Sequence, residues 1–388
     1  MATDNKYKVL NVPNLRFPEF TEVWKDSNIG KCFDLYSGNT PSRMEKKHFI
    51  GDVNWITSGE LKEHYIGDTK ERISEKAAED NNLRILPVGT FVMAIYGLEA
   101  EGVRGTCSIT VKTSTISQAC MAFTPKSNVS NEFLYSWYKK HGNKIGIRYA
   151  QGTKQQNLSY DIIEKFPIRY PSIEEQEKLN TFISLLDKRI ATQNKIIEDL
   201  KKLKVAIRDK QLNAIRKHYG LNYQICDLLD YEQPTKYVVT DSEYSEDRSK
   251  TPVLTANKAF ILGYTNETFG VYDKGKCIIL DDFTLDCKYV DFPFKVKSSA
   301  IKILTVKNGY SLRYVYEYLN YLNLETTEHK RHYISEIEPM MIAYPTDKKK
   351  IDDFNNMMSS LESKIEIENK YLQSLLVQKS YLLSNMFI

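Results

Sequence analysis

No Cys-x-x-Cys pair occurs in this chain, no proline follows another, and no stretch approaches the ~18 consecutive apolar residues of a membrane span. Each absence closes a class of function. Cys32, Cys107, Cys120, Cys226, Cys277 and Cys287 form neither a zinc ribbon nor a redox pair, so buried reduced thiols are expected. Without a Pro-Pro-aromatic run or a glycine-rich cofactor loop, the chain lacks the parts a base methyltransferase needs. Met1-Ala2-Thr3-Asp4-Asn5-Lys6 has no apolar signal core, and a cytoplasmic location is expected. There is no strong excess of one charge either. A net +4 permits a polyanionic partner without requiring one. What is abundant is tyrosine, with 26, a residue that packs and hydrogen-bonds at once.

Several runs imitate chemistry. Gly270-Val271-Tyr272-Asp273-Lys274-Gly275-Lys276-Cys277 nearly spells a phosphate-binding loop. Its last residue is Cys where Ser or Thr would hold magnesium. The following Ile278-Ile279-Leu280-Asp281-Asp282 reads as a strand, where such a loop must open a helix, so a turn into a strand is expected. Asp281-Asp282 and Asp286-Cys287-Lys288 are poor nuclease carboxylates and read as solvated turn charges. His329 and His332 stand three apart, a spacing a metal would accept. Lys330 and Arg331 between them favour a basic loop, and no metal site is expected.

The chain says one thing twice. A shift of 175 carries Leu179, Phe182, Ile183, Leu186, Ile190, Ile197 and Leu200 onto Phe354, Met357, Met358, Leu361, Ile365, Leu372 and Leu375. Asn194-Lys195 falls on Asn369-Lys370, and Lys204 on Lys379. Both segments follow a proline and a capping hydroxyl, Ser172 or Thr346, and neither contains Pro or Gly. Apolar spacings of three and four make each a long helix, and heptad-like stripes on both predict that they pair. Before each helix come short β-rich runs and one shorter helix, around Asn131–Lys140 and Leu312–Tyr321. These echo each other in pattern while most side chains differ. The predicted class is α+β: two mixed α/β domains separated by two long antiparallel coiled-coil helices, with a pseudo-twofold internal repeat. The predicted boundaries are 1–171 and 220–345 for the domains, and 172–219 and 346–388 for the helices.

Val12-Pro13-Asn14-Leu15-Arg16-Phe17-Pro18-Glu19-Phe20, Trp24 and Ser37-Gly38-Asn39-Thr40-Pro41-Ser42 resemble the opening of type I restriction–modification specificity subunits. Gly152-Thr153, Leu158-Ser159, Pro167-Ile168 and Pro171 resemble the close of their target recognition domains. Glu175-Gln176-Glu177-Lys178-Leu179 through Ile190, and the final Leu382–Phe387, resemble their spacer helices. The second repeat departs from this, with Lys350 or Ile351 in the place of Gln176 and Gln233-Pro234-Thr235 in the place of a Thr-Pro-Ser turn. The resemblance implies a non-catalytic subunit whose two domains bind the halves of a bipartite, asymmetric double-stranded DNA target. The helices would act as a ruler and dock two methyltransferase subunits, and through them the motor–nuclease subunits. S-adenosylmethionine, ATP and magnesium would sit on those partners, with no cofactor bound by this chain. A coiled-coil scaffold whose globular domains bind other proteins is the competing expectation.

Base reading needs polar side chains at groove edges, and phosphate binding needs cations. The first-domain candidates are Arg43, Lys46, Lys47, Thr57, Ser58, Tyr96, Arg104, Lys154, Gln155 and Gln156. The second-domain candidates are Lys236, Tyr237, Lys258, Lys274, Lys330, Arg331 and His332. A solvated surface role competes for each.

For the helix pair, one seam row is Ile183, Ile190, Ile197, Lys204 and Gln211, and the other is Leu186, Gln193, Leu200 and Ile207. The second helix offers Met358, Ile365, Leu372, Lys379 and Met386 beside Leu361, Glu368, Leu375 and Leu382. Uniting the polar breaks sets Lys204 beside Glu368 and Gln193 beside Lys379; a slip of one heptad is the rival register.

Overall fold

The computed structural model describes residues 11–388 apart from 101, 153–155, 257–258 and 327–329. The chain divides into two compact units, Met1–Gln193 with Tyr371–Ile388, and Asn194–Lys370. Each long helix gives one part of its length to each unit.

The first unit runs β1 (Lys25–Asn28), α1 (Ile29–Cys32), β2 (Phe33–Ser37), β3 (Val53–Ile56), β4 (Tyr65–Ile66), β5 (Arg72–Ile73), α2 (Glu75–Asp80), β6 (Phe91–Ala94), β7 (Cys107–Thr110), β8 (Ser114–Ile116), β9 (Cys120–Pro125), α3 (Asn131–Tyr149), α4 (Tyr160–Ile163) and β10 (Pro167–Tyr170), then enters α5 (Ile173–Tyr219). Strands pair in the orders β2-β9-β6-β7-β4, β5-β3-β8 and β1-β10. The central strand β6, Phe91-Val92-Met93-Ala94, is buried throughout, as its unbroken apolar run requires. Helix α3 covers this sheet, and its N-cap Ser130 accepts the Phe133 N–H. It runs well past the segment its apolar pattern marked, and its Gly142 and Gly146 sit where the backbone of Gly105 and the side chain of Arg104 approach closely.

The second unit continues from α5 through β11 (Tyr223–Gln224), α6 (Ile225–Leu228), β12 (Leu229–Glu232), β13 (Thr251–Leu254), β14 (Ile261–Thr265), β15 (Cys277–Asp281), β16 (Cys287–Val290), β17 (Lys295–Val296), β18 (Ile301–Val306), α7 (Leu312–Leu322) and β19 (Met341–Ile342) to α8 (Lys348–Met386). Its strand orders are β12-β18-β15-β16, β14-β13-β17 and β11-β19. Among the described residues these follow the first unit strand for strand, with the edge strand β4 lacking a counterpart. The parallel pair β13·β17 repeats β3·β8. The repeat seen in the helices is therefore a repeat of the whole topology. The loops differ in length, and most side chains differ.

The imitation phosphate loop is resolved as a turn. Cys277 opens β15, paired to β16 and β18, and no helix starts there. Tyr272 is fully buried, with its ring 4.9 Å from that of Phe294. The cores differ in aromatic character. The first holds buried Trp24, Trp55 and Trp137. The second is built on tyrosine, with Tyr314 stacked edge-on to Tyr344 at 5.0 Å and to Phe354 at 5.4 Å. All six cysteines are free thiols. Among the described residues, no helix is long and apolar enough to cross a membrane.

Candidate nucleic-acid interface

In the second unit three candidates meet. Glu232 lies between two ammonium groups, Lys236 and Lys274, each at 2.7 Å, and accepts the Tyr237 hydroxyl at 3.0 Å. Burial opposes ionisation of Glu232, but these three donors outweigh it and hold the carboxyl at about 2. Lys236 and Lys274 are exposed and keep one net positive charge at the surface. Tyr237 is a correction. It is 4% exposed and packs on Tyr272, so its role is to support the two lysines rather than to touch a ligand.

In the first unit Arg43 lies over Phe49 at 4.6 Å and Trp55 at 5.2 Å, and both its terminal nitrogens bind the Glu71 carboxylate. A planar guanidinium stacked and clamped in this way is held in one orientation. Lys46 and Lys47 stand exposed on the following turn. Beside it, Thr57 and Glu60 cap each other around Ser58–Glu60, so Thr57 and Ser58 close a turn. The turn Ser37–Ser42 reaches this sheet through Gly38, where an added Cβ would lie 2.0 Å from the Ile116 carbonyl oxygen.

Arg104 donates to Gln156 at 2.7 Å, and the Gln156 N–H is accepted by Glu99 at 2.7 Å. Tyr96 borders a cleft of about 540 Å³ with Ser37, Gln151 and Asn157. On the last loop Lys330 pairs with Glu336 at 3.1 Å, and Arg331 is exposed with its guanidinium 5.9 Å from the Phe283 ring. His332 is a second correction. It is 3% exposed; its N–H donates to Asp282 and its Nδ1 meets Glu336 at 2.9 Å. The Asp282 carboxylate, expected in a solvated turn, is itself buried and pairs with buried Lys302 at 3.4 Å. Lys154, Gln155, Lys258 and His329 lie outside the described residues. Among the described residues, no group of three His, Cys, Asp or Glu is arranged to hold a metal.

The motifs around residues 12–24 gather on the start of α5. Arg16 binds Glu175 through two nitrogens, at 2.8 and 2.7 Å, and Trp24 Nε1 donates to the same carboxylate at 3.3 Å. Phe17 meets Phe182 edge-on at 5.8 Å. Gln176, fully buried, accepts the Ser130 N–H and donates to the Asn128 and Pro171 carbonyls. A buried amide satisfied on both sides fixes helix to domain. In the second repeat Ile351 fills this place as part of the core. One clip does repeat. Asn180 donates to the α3 cap Ser130 at 3.3 Å, and Asn355 donates to the α7 cap Ser311 at 2.9 Å.

Within each unit the two long helices run antiparallel. In the first unit Lys379 pairs with Asp187; in the second Lys204 lies 2.9 Å from Glu317 and 3.6 Å from Glu362. The shift of 175 carries Lys204 to Lys379 and Asp187 to Glu362, so the two pairs are equivalent. The carboxylates that the two lysines meet, Asp187, Glu317 and Glu362, lie off the expected seam rows. A flexible lysine leaves its seam row to reach a neighbouring carboxylate, where it gains a charge-assisted bond. Glu368 pairs along its own helix with Lys364 at 2.5 Å. Toward the end of α5 the buried stripe also moves from Gln211, which is exposed, to Leu212. A straight helix drifts against a seven-residue pattern in this way.

Residues 21–202 match the family model of the type I restriction modification DNA specificity domain. Over 125 residues, 31% of this chain, the sequence is 50% identical to the EcoR124I/EcoR124II specificity subunit of Escherichia coli, and the match spans 31% of that relative's length. It is 27% identical over 308 residues to the MjaIX specificity subunit of Methanocaldococcus jannaschii, covering 77% of this chain and 68% of that one. The solved S subunit of a type I system from M. genitalium shares the fold, with a TM-score of 0.58 at 16% identity over 97% of this chain and 99% of that one. Residues 21–202 thus carry a type I restriction modification DNA specificity domain, and the chain as a whole is similar to type I specificity subunits in sequence and fold.

Proposed function

We propose that this chain is the non-catalytic DNA reader of a type I restriction–modification complex, with one half of a bipartite, asymmetric target contacted by each domain. The observation that carries the reading is one topology presenting two different polar surfaces. The first unit offers Arg43 clamped on Glu71 beside Lys46 and Lys47; the second offers Lys236 and Lys274 around Glu232. Equal frames with unequal readers match unlike half-sites, whereas equal readers would match a palindrome.

In this proposal the exposed lysines bind phosphates, and Arg43, Arg104, Gln156, Lys330 and Arg331 are the base or backbone contacts. The long helices set the distance between half-sites and carry two methyltransferase subunits, with motor–nuclease subunits attached through them. S-adenosylmethionine, ATP and magnesium belong to those partners.

Methylome sequencing of a host carrying this chain with its partner subunits tests the reading. A single split motif with two different halves is expected, and the purified chain should bind that duplex with an affinity that falls steeply with salt. Binding with no sequence preference would sink it in favour of a scaffold. Methyl transfer or ATP hydrolysis by the chain alone would end the non-catalytic assignment.

A further inference from the structure

Lys295 in β17 is fully buried, yet its ammonium binds no nucleic-acid candidate and no exposed acid. It pairs with Glu267 at 2.7 Å, donates to the Phe269 carbonyl at 2.9 Å and lies 4.4 Å from the centre of the Phe269 ring. Burying an ammonium is costly unless it is fully paired. All three contacts here are to one short strap after β14. Glu267 is held in turn by the Thr240 hydroxyl at 2.6 Å and by backbone N–H groups. Gly270 closes the strap in the left-handed region (φ 57°), and an added Cβ there would lie 2.4 Å from the Lys236 carbonyl oxygen. The strap is thus fixed from below. What it presents above is the Phe269 ring, 61% exposed.

The Phe269 ring covers the buried Lys295 ammonium and still stands largely exposed, so it is held in place and available at once. Gly270, next in the chain to Phe269, abuts the backbone of Lys236, whose exposed ammonium and that of Lys274 favour a polyanion; an exposed aromatic near such cations can stack on an unstacked base or wedge into a base step. We propose that Phe269 is a wedge, inserted into the DNA step read by the second domain, with Lys295 as its positioning residue. This rests on the reading of the chain as a DNA-binding subunit and adds to it a specific residue and mode of contact.

The test uses the full chain assembled with its methyltransferase subunits and a duplex of the motif found by methylome sequencing, with 2-aminopurine placed at each position in turn. Wild type should raise the fluorescence at one step within one half-site. Phe269→Ala should abolish that rise and weaken binding about tenfold, while the dependence of affinity on salt stays unchanged because no phosphate contact is lost. Phe269→Trp should restore both. Equal affinity and an equal fluorescence profile for Phe269→Ala would overturn the proposal. So would loss of methyltransferase association at unchanged DNA affinity, which would make Phe269 a protein contact. A wild-type complex that fails to bind the duplex at all would instead overturn the DNA-reading assignment itself.

Discussion

Glu267 concentrates more of the second unit's electrostatics than any residue picked out from sequence. Burial works against its ionisation, but Lys295, the Thr240 hydroxyl and the N–H groups of Thr240 and Asp241 together bring the carboxyl from its ordinary 4.5 to about 2. A carboxyl lowered on folding stabilises the fold above its unfolded value, and that contribution fades as pH falls toward the folded value. Glu267→Gln should therefore destabilise the protein at neutral pH, by about 3 kcal/mol since it leaves a buried ammonium half-paired. The difference from wild type should shrink between pH 4.5 and about 2. Urea denaturation across that range measures it; a constant difference would refute the assignment. The thiols give a second residue-scale expectation. Burial pushes Cys107, Cys120, Cys277 and Cys287 up to about 12, whereas Cys226 is only partly covered. Near pH ~8.5, alkylation of the native protein should label Cys226 first, as peptide mass spectrometry would report. Rapid labelling of Cys107 or Cys277 would contradict the burial.

At the scale of elements, the equivalent lysine pairs are not equal in energy. Lys204 neutralises Glu317, which is 1% exposed, whereas Lys379 faces Asp187 at 24%. Lys204→Met leaves a buried carboxylate whose remaining cation among the described pairs, Arg313, is at 3.9 Å. It should cost about 3 kcal/mol, and Lys379→Met about 1 kcal/mol or less. Denaturation midpoints of the two variants should fall in that order, and the reverse order would show that Glu317 does not depend on Lys204. The same pairs mark how far the sequence could be read. The long helices and their antiparallel pairing were legible because apolar spacings of three and four persist without Pro or Gly. The partners of the lysines were not, because Asp187 and Glu362 lie off the seam rows, where a heptad reading does not look. A search for polar residues that repeat at 175 would have found them, and also Asn180 with Asn355. Tyr237 and His332 were misread for a related reason: a polar aromatic in a basic stretch looks like a contact, and only the packing reveals that it is core. Lys295 left no signal at all, since a Lys alternating with Val296 and Lys297 in a short strand reads as solvent-facing and gives no hint that Glu267 waits for it.

At the scale of the whole molecule, the duplication predicts that stability is organised in two cores. Among the described residues, each unit buries hydrophobic clusters of its own. Two-state unfolding is then not expected, and transitions followed by different probes should not coincide. A single superimposable transition would show that the shared helices make the halves cooperative. The chain carries the means of deciding this without a label. Its three tryptophans, Trp24, Trp55 and Trp137, all belong to the first unit, whereas the second core is lined with tyrosine. Red-edge excited emission is therefore a private signal of one half. Any difference between that signal and the far-ultraviolet dichroism of the whole chain reports on the other half, so an unmodified sample is already colour-coded by domain.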